Sequence, residues 1–295
     1  MRLAPLPLLL LLVLAACAAP QETSEPPADA LPIRAAASVP PLAWLVDRVG
    51  GDRVETAVLI PAGASPHAFE PSPRQVAAVV AADLFVAVGD PDFAFEARLV
   101  DRLLGEREDD AAEPEVVKLA AVAASAADDD ALDPHLWLVP RHLESAASAI
   151  ADALSDLDPE GEAFYRANFE ALDAELDDLD DELRQHLGGF AGGSFYVEHP
   201  AWGHLAAEYG LTQVALEEEG KEPRVGRLVE AIEAARRDGV RVVLVQRGVA
   251  ERAGRTLADE IGAEVVEVDP LAYDVAANLR RVSEVLQRAM GRSGG

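Results

Sequence analysis

At 295 residues, half of them hydrophobic, the chain can bury one large core or two smaller ones. Asp and Glu outnumber Lys and Arg by 53 to 25, a formal net charge of −28, so the basic stripes that phosphate recognition needs are missing and nucleic-acid binding is disfavoured. Aromatics make up only 5% beside abundant Ala, Val and Leu, which suits packed α/β layers better than an aromatic-rich sandwich.

The first residues have their own logic. Met1-Arg2 is a short basic start, Leu6 to Leu14 is almost wholly leucine, and the run closes on Leu14-Ala15-Ala16-Cys17. That span is shorter than the ~20 apolar residues of a membrane helix, so 1–16 read as an export signal. Cys17 is the single cysteine and follows a pair of small residues, the pattern of a bacterial lipoprotein signal whose cleavage frees that thiol for lipidation. No intrachain disulfide is then possible. Residues 17–32, rich in Pro, Glu and Ala, suit a solvated tether between anchor and folded body. No second apolar span follows, so membrane contact is expected through the lipid alone. The acidic excess would attract cations, although solubility or adaptation to salt explains most of it.

Strands and helices alternate through 33–157. Strand-like runs are Ile33–Val39, Val54–Ile60, Leu84–Gly89 and Glu115–Leu119. A helix ending on Gly50-Gly51 follows the first; a second opens with Ser72 as N-cap, Pro73 at its first position and Gln75 closing a capping box; a third starts near Phe95. This βαβα order implies a parallel sheet. Residues 158–189 read as one long helix capped by Asp158, opened by Pro159 and stopped by Gly188-Gly189. Its apolar stripe runs through Leu172, Leu176, Leu179, Leu183 and Leu187. Residues 190–295 repeat the first plan with Ser194–Glu198, Leu211–Leu216, Val240–Gln246 and Ala263–Val268, ending on a helix from about Val275 to Arg292. The expected fold is α/β: two lobes, each a parallel sheet flanked by helices, joined by a long rigid backbone helix.

Three of the six histidines touch prolines: His67 in SPHAFEP, His135 in DPHLW and His199 in EHPAW. A neighbouring proline fixes φ and lowers the entropy lost when a ring is held in one orientation. His67 and His199 leave the ends of strands and His135 follows an acidic loop. Asp269, also ahead of a proline, leaves the last strand. Ligands of open α/β sheets bind beyond the strand carboxyl ends, so a cleft between lobes can gather all four groups. Three imidazoles and one carboxylate suit tetrahedral zinc; manganese prefers more oxygen. Glu198 and His199 should point to opposite sides, leaving Glu198 to orient a ring or to face into its lobe. His204 reads as a packing or surface residue, and His142 and His186 as solvated.

SPHAFEPSPRQV, DPHLWLVP, EHPAWGHLAAEYGL, EEEGKEP and VVEVDPLAYD together resemble the metal-binding lipoproteins of bacterial zinc and manganese ABC importers, the cluster A substrate-binding proteins, over about Ile33 to Arg292. The resemblance implies two α/β lobes joined by a backbone helix, a metal held between them by His67, His135, His199 and Asp269, and delivery to an ABC permease by a monomeric, exported, membrane-anchored protein. It implies zinc over manganese, since manganese-selective relatives tend to place a carboxylate where this chain has His199. Three departures stand out: the segment Ala120 to Asp133 has acids but no histidine, Gln246 replaces a common glutamate, and His204 stands where relatives usually have an aromatic residue. The rival class is a secreted zinc hydrolase, with Glu70 or Glu198 as base and an open fourth position for water. A third reading keeps the fold for a surface adhesin or a binder of metal chelates.

Overall fold

The computed structural model describes residues 31–61, 69–90, 93, 96, 114–123, 133–217, 223–246 and 252–291. The signal, Cys17, the tether as far as Ala30, His67 and the helix expected after Phe95 (Glu96 apart) lie outside them.

The first sheet holds β1 (Ile33–Ala37), β2 (Val54–Val58), β3 (Leu84–Ala87) and β4 (Glu115–Lys118) in the order β2-β1-β3-β4, every pair parallel. The second holds β5 (Ser194–Val197), β6 (Thr212–Ala215), β7 (Val242–Gln246) and β8 (Glu264–Val268) in the order β6-β5-β7-β8, again all parallel. The two sheets share one topology. In each, the chain leaves a central strand to one side and returns on the other, which opens a crevice at the strand carboxyl ends. β3 is buried along its whole length, as a strand covered by helices on both faces must be.

Local sequence explains the helix ends. α1 (Pro40–Gly50) starts on a proline, and Gly51 follows it at φ 54°, a conformation that disfavours any side chain. α2 (Pro73–Val80) carries the full capping box: the Ser72 hydroxyl accepts the Gln75 amide and the Gln75 side chain accepts the Ser72 amide at 2.9 Å. The short α3 (Leu119–Ala123) occupies the start of the segment read as an acidic loop. α4 (Pro140–Leu157) then leads to the long connecting helix.

That helix, α5 (Glu162–Leu187), has 26 residues and so runs about 39 Å. Its five stripe leucines are all 0% exposed. They belong to one apolar core that includes Trp44, Leu143 and Leu154 of the first lobe and Leu271, Leu279 and Val282 of the second. A helix buried into both lobes along one stripe acts as a splint, so the lobes do not hang from a loose hinge. Ion pairs sit on either side of it, Arg48 to Glu175 and Arg280 to Glu182, both at 2.6 Å. Being half exposed, they add little to the apolar term.

The expected cap is corrected here. Pro159–Gly161 form a 3-10 turn and the α-helix proper begins at Glu162. The Asp158 carboxylate has a stronger partner: it accepts Arg53 at 2.7 and 2.9 Å and the Tyr165 hydroxyl at 2.8 Å. A charge-assisted pair with a buried guanidinium outweighs a cap bond made in water.

The same helix creates an electrostatic fault. Glu144 on α4 is half-buried opposite Asp173, Asp177 and Asp180 of α5, with Glu208 nearby; burial and these four carboxylates push it up to about 7 from its ordinary 4.5. A folded-state value above the unfolded one means full stability below pH 4.5 and a progressive loss as pH rises through 7. Glu144→Gln should therefore leave stability unchanged at pH 5 and raise it at pH 8 by about 1 kcal/mol after solvent screening. Thermal melts at the two pH values, repeated in high salt where the gain should shrink, measure this; a destabilised variant at pH 8 contradicts it.

Candidate metal centre

His135 sits at the mouth of a fully buried 3-10 turn, Leu136–Leu138, so the apolar run behind it roots the ring in the first lobe. Asp133, two residues earlier, accepts the His135 backbone N–H at 3.0 Å, and the same oxygen stands 2.6 Å from the ring Nδ1. Pro134 holds the two in this bite by fixing the bend between them. Burial dominates the His135 ring and lowers its pKa against the pull of Asp133, so the ring is neutral at pH 7. Burial alone would raise the Asp133 carboxyl; its hydrogen bonds and the ring beside it hold it below the usual carboxylate range.

His199 stands two residues beyond β5, at the switch point of the second sheet. Its Nδ1 is 3.0 Å from a Glu217 carboxylate oxygen, and both residues are buried, at 9% and 7% exposure. Glu217 follows β6 and is aligned by its own amide, which donates to the Glu198 carbonyl at 2.9 Å. Glu198 is buried on the other side: a β-carbon at Gly254 would stand 3.5 Å from its carboxylate. The alternation expected for Glu198 and His199 is what the chain adopts.

The two rings meet edge-on with centres 5.3 Å apart. Two imidazoles bound to one tetrahedral zinc at ~2.0 Å hold their ring centres about 5 Å apart, so the separation fits a shared ion. Each Nδ1 faces a carboxylate; a proton held between them leaves the coordinating lone pair on Nε2 and strengthens it as a donor.

Asp269 leaves β8 directly and is half-buried. One carboxylate oxygen accepts the Leu271 amide at 2.9 Å, and its carbonyl accepts the Asn278 side chain at 2.8 Å. Among the described residues no three His, Cys, Asp or Glu side chains are gathered closely enough to hold an ion. The structure thus brings His135 and His199 together and leaves the Asp269 carboxylate outside that pair; His67 is not among the described residues.

His142 and His186 correct the sequence reading. His142 is buried and hydrogen-bonds the Leu136 carbonyl at 2.9 Å, which braces the turn behind His135; burial lowers its pKa, so it is neutral and not solvated. His186 is half-buried, 2.9 Å from the Ser283 hydroxyl. His204, in α6 (Gly203–Glu208), donates to the Asp133 carbonyl at 2.6 Å and so links the second lobe to the first. Gly203 beside it has no room for a side chain, because a β-carbon there would lie 2.6 Å from the Asp133 carboxylate.

Sequence reasoning missed Asp133 and Glu217, the partners of the two rings. Asp133 was visible as the residue before Pro134-His135, a spacing that lets a short carboxylate reach a neighbour two positions on. Glu217 lies 18 residues from His199 and meets it only through strand pairing.

The profile of the family described as zinc-uptake complex component A, periplasmic, matches residues 36–281. The chain belongs to this family. Its members are binding components of metal uptake and not enzymes, and nothing supports the hydrolase alternative. A protein of Treponema pallidum described as metal-binding is 30% identical over 234 residues, 75% of this chain and 74% of its own. The high-affinity zinc uptake system protein ZnuA of Bacillus subtilis is 27% identical over 78% of this chain and 76% of its own. A crystal structure of ZnuA superposes with a TM-score of 0.79 at 32% identity, covering 88% of this chain and 99% of that one. The family fold is the one described above, two parallel-sheet lobes joined by a long helix, and the family's metal is zinc. Among the described residues no helix is long and apolar enough to cross a membrane.

Proposed function

We propose that the chain is an exported binding protein, lipid-anchored through Cys17, that captures one Zn²⁺ between its lobes and hands it to an ABC permease. His67, His135, His199 and Asp269 are the ligands, with Asp133 and Glu217 orienting two of the rings. The observation that carries this is the facing pair of His135 and His199, one from each lobe, each with a carboxylate on its Nδ1, part-buried Asp133 and buried Glu217. That arrangement makes directional nitrogen donors, which suits zinc over oxygen-seeking manganese. Asp269 joins by turning its carboxylate from the Leu271 amide toward the ion, closing a shell that leaves no position for a hydrolytic water. The family assignment and the Bacillus subtilis relative's zinc-uptake role support the same reading.

The test is elemental analysis of protein purified without added metal, followed by competition titration. One equivalent of zinc, with manganese weaker by about a hundredfold or more, is the expected result. A preference for manganese, or binding of neither ion, overturns it.

A further inference from the structure

We propose that Trp137 is a positioning residue for metal capture: its indole N–H ties the two ligand loops together across the lobes. This rests on the ligand reading above. Trp137 is the second residue of the turn behind His135 and is completely buried. Its Nε1–H donates to the Pro270 carbonyl at 2.7 Å, 133 residues away and directly after Asp269. The indole also meets the His135 ring edge-on, with centres 5.2 Å apart, and Phe93 at 6.4 Å. One side chain therefore touches a ring of the first lobe and the backbone next to a carboxylate of the second.

The Asp269 loop transmits that contact as a rigid piece. The Leu271 amide bonds the Asp269 carboxylate, the Ala272 amide and the Asn278 side chain bond its carbonyl, and Asp274 caps α9 (Val275–Gly291) through the Ala277 amide at 2.9 Å. Wherever Pro270 is held, Asp269 follows. Three other polar links cross between the lobes among the described residues, and one of them, the Arg141 to Glu208 ion pair at 2.7 Å, has a half-exposed guanidinium and does not reach the Asp269 loop. The His204 bond fixes Asp133 but does not reach the Asp269 loop. Tyr273 donates to Asp47, yet Tyr273 is 46% exposed, so water replaces that bond when it breaks. The Trp137 bond is the buried one. Without its donor the Pro270 carbonyl would stay dehydrated and unpaired whenever the lobes meet, and that penalty falls on the geometry that binds metal.

The test is zinc affinity and dissociation rate of the full-length protein as wild type, Trp137→Phe and Tyr273→Phe. Phenylalanine keeps an apolar ring against His135 and removes the donor. Trp137→Phe should raise the zinc Kd roughly tenfold, chiefly through faster dissociation, and shift the visible bands of the cobalt-substituted protein. Tyr273→Phe should stay within about twofold of wild type. A Trp137→Phe protein with lowered melting temperature but wild-type Kd and dissociation rate overturns the proposal, since the indole would then be packing alone. Equal losses in both variants overturn it too, because burial would not be what matters. If Trp137→Phe does not fold, 3-benzothienylalanine at 137, which exchanges only the N–H for sulfur, is measured against the same criteria. Absence of zinc binding in the wild type would refute the ligand reading itself, a result distinct from either of these.

Discussion

Zinc affinity is expected to fall a hundred- to a thousandfold in His199→Ala, about tenfold in Glu217→Gln, and hardly at all in Glu198→Ala. The gradation follows from position. A four-ligand zinc site has an apparent binding energy on the order of 10–16 kcal/mol, so a lost ligand removes about 3–4 kcal/mol, or two to three decades. Glu217 acts through the His199 ring at 3.0 Å, and loss of such a partner costs about 10–100-fold. Glutamine keeps an acceptor in place, which puts its effect at the low end. Glu198 lies on the opposite side of the strand end, toward Gly254. Isothermal titration or a chelator competition resolves all three. If Glu198→Ala abolishes binding while His199→Ala keeps it, the side assignment at this strand end is wrong.

The second large effect concerns stability. Leu179→Ala should cost about 2–5 kcal/mol, because it opens a cavity that neighbouring side chains fill only in part. For a chain of this size that lowers the melting temperature by about 4–10 °C. Leu179 sits mid-way along the connecting helix, 0% exposed, in an apolar core that includes residues from both lobes. The zinc-free variant should therefore still melt in one transition, with both lobes failing together. Calorimetry that separates two transitions, only one of them shifted, would show that the helix is a linker and not a shared core element.

Much of the fold was legible because it rests on local rules. All eight strands fall inside the runs chosen for β-branched and apolar content, trimmed by one or two residues where the pattern passes into a turn. The capping box at Ser72 and the leucine stripe of the connecting helix are equally local, and both occur as read. Asp158 shows where that logic ends. Its position favours a cap, but a guanidinium 105 residues away, invisible in the local pattern, claims the carboxylate. The site divides in the same way. The proline-flanked rings His135 and His199 could be chosen from strand ends and loop chemistry, and they meet across the lobes. Their carboxylate partners, the burial of His142 and the His204 link depend on which strands and lobes lie side by side. No periodicity in one sequence reports that.

The central claim is that four groups far apart along the chain share one ion. Zinc K-edge absorption of the protein loaded with one equivalent, together with a crystal structure of the same sample, tests it most directly. The account predicts three imidazole nitrogens and one carboxylate oxygen at ~2.0–2.2 Å, supplied by His67, His135, His199 and Asp269. A shell that lacks His135 or His199, or one completed by Glu198 or by water in place of Asp269, would contradict it.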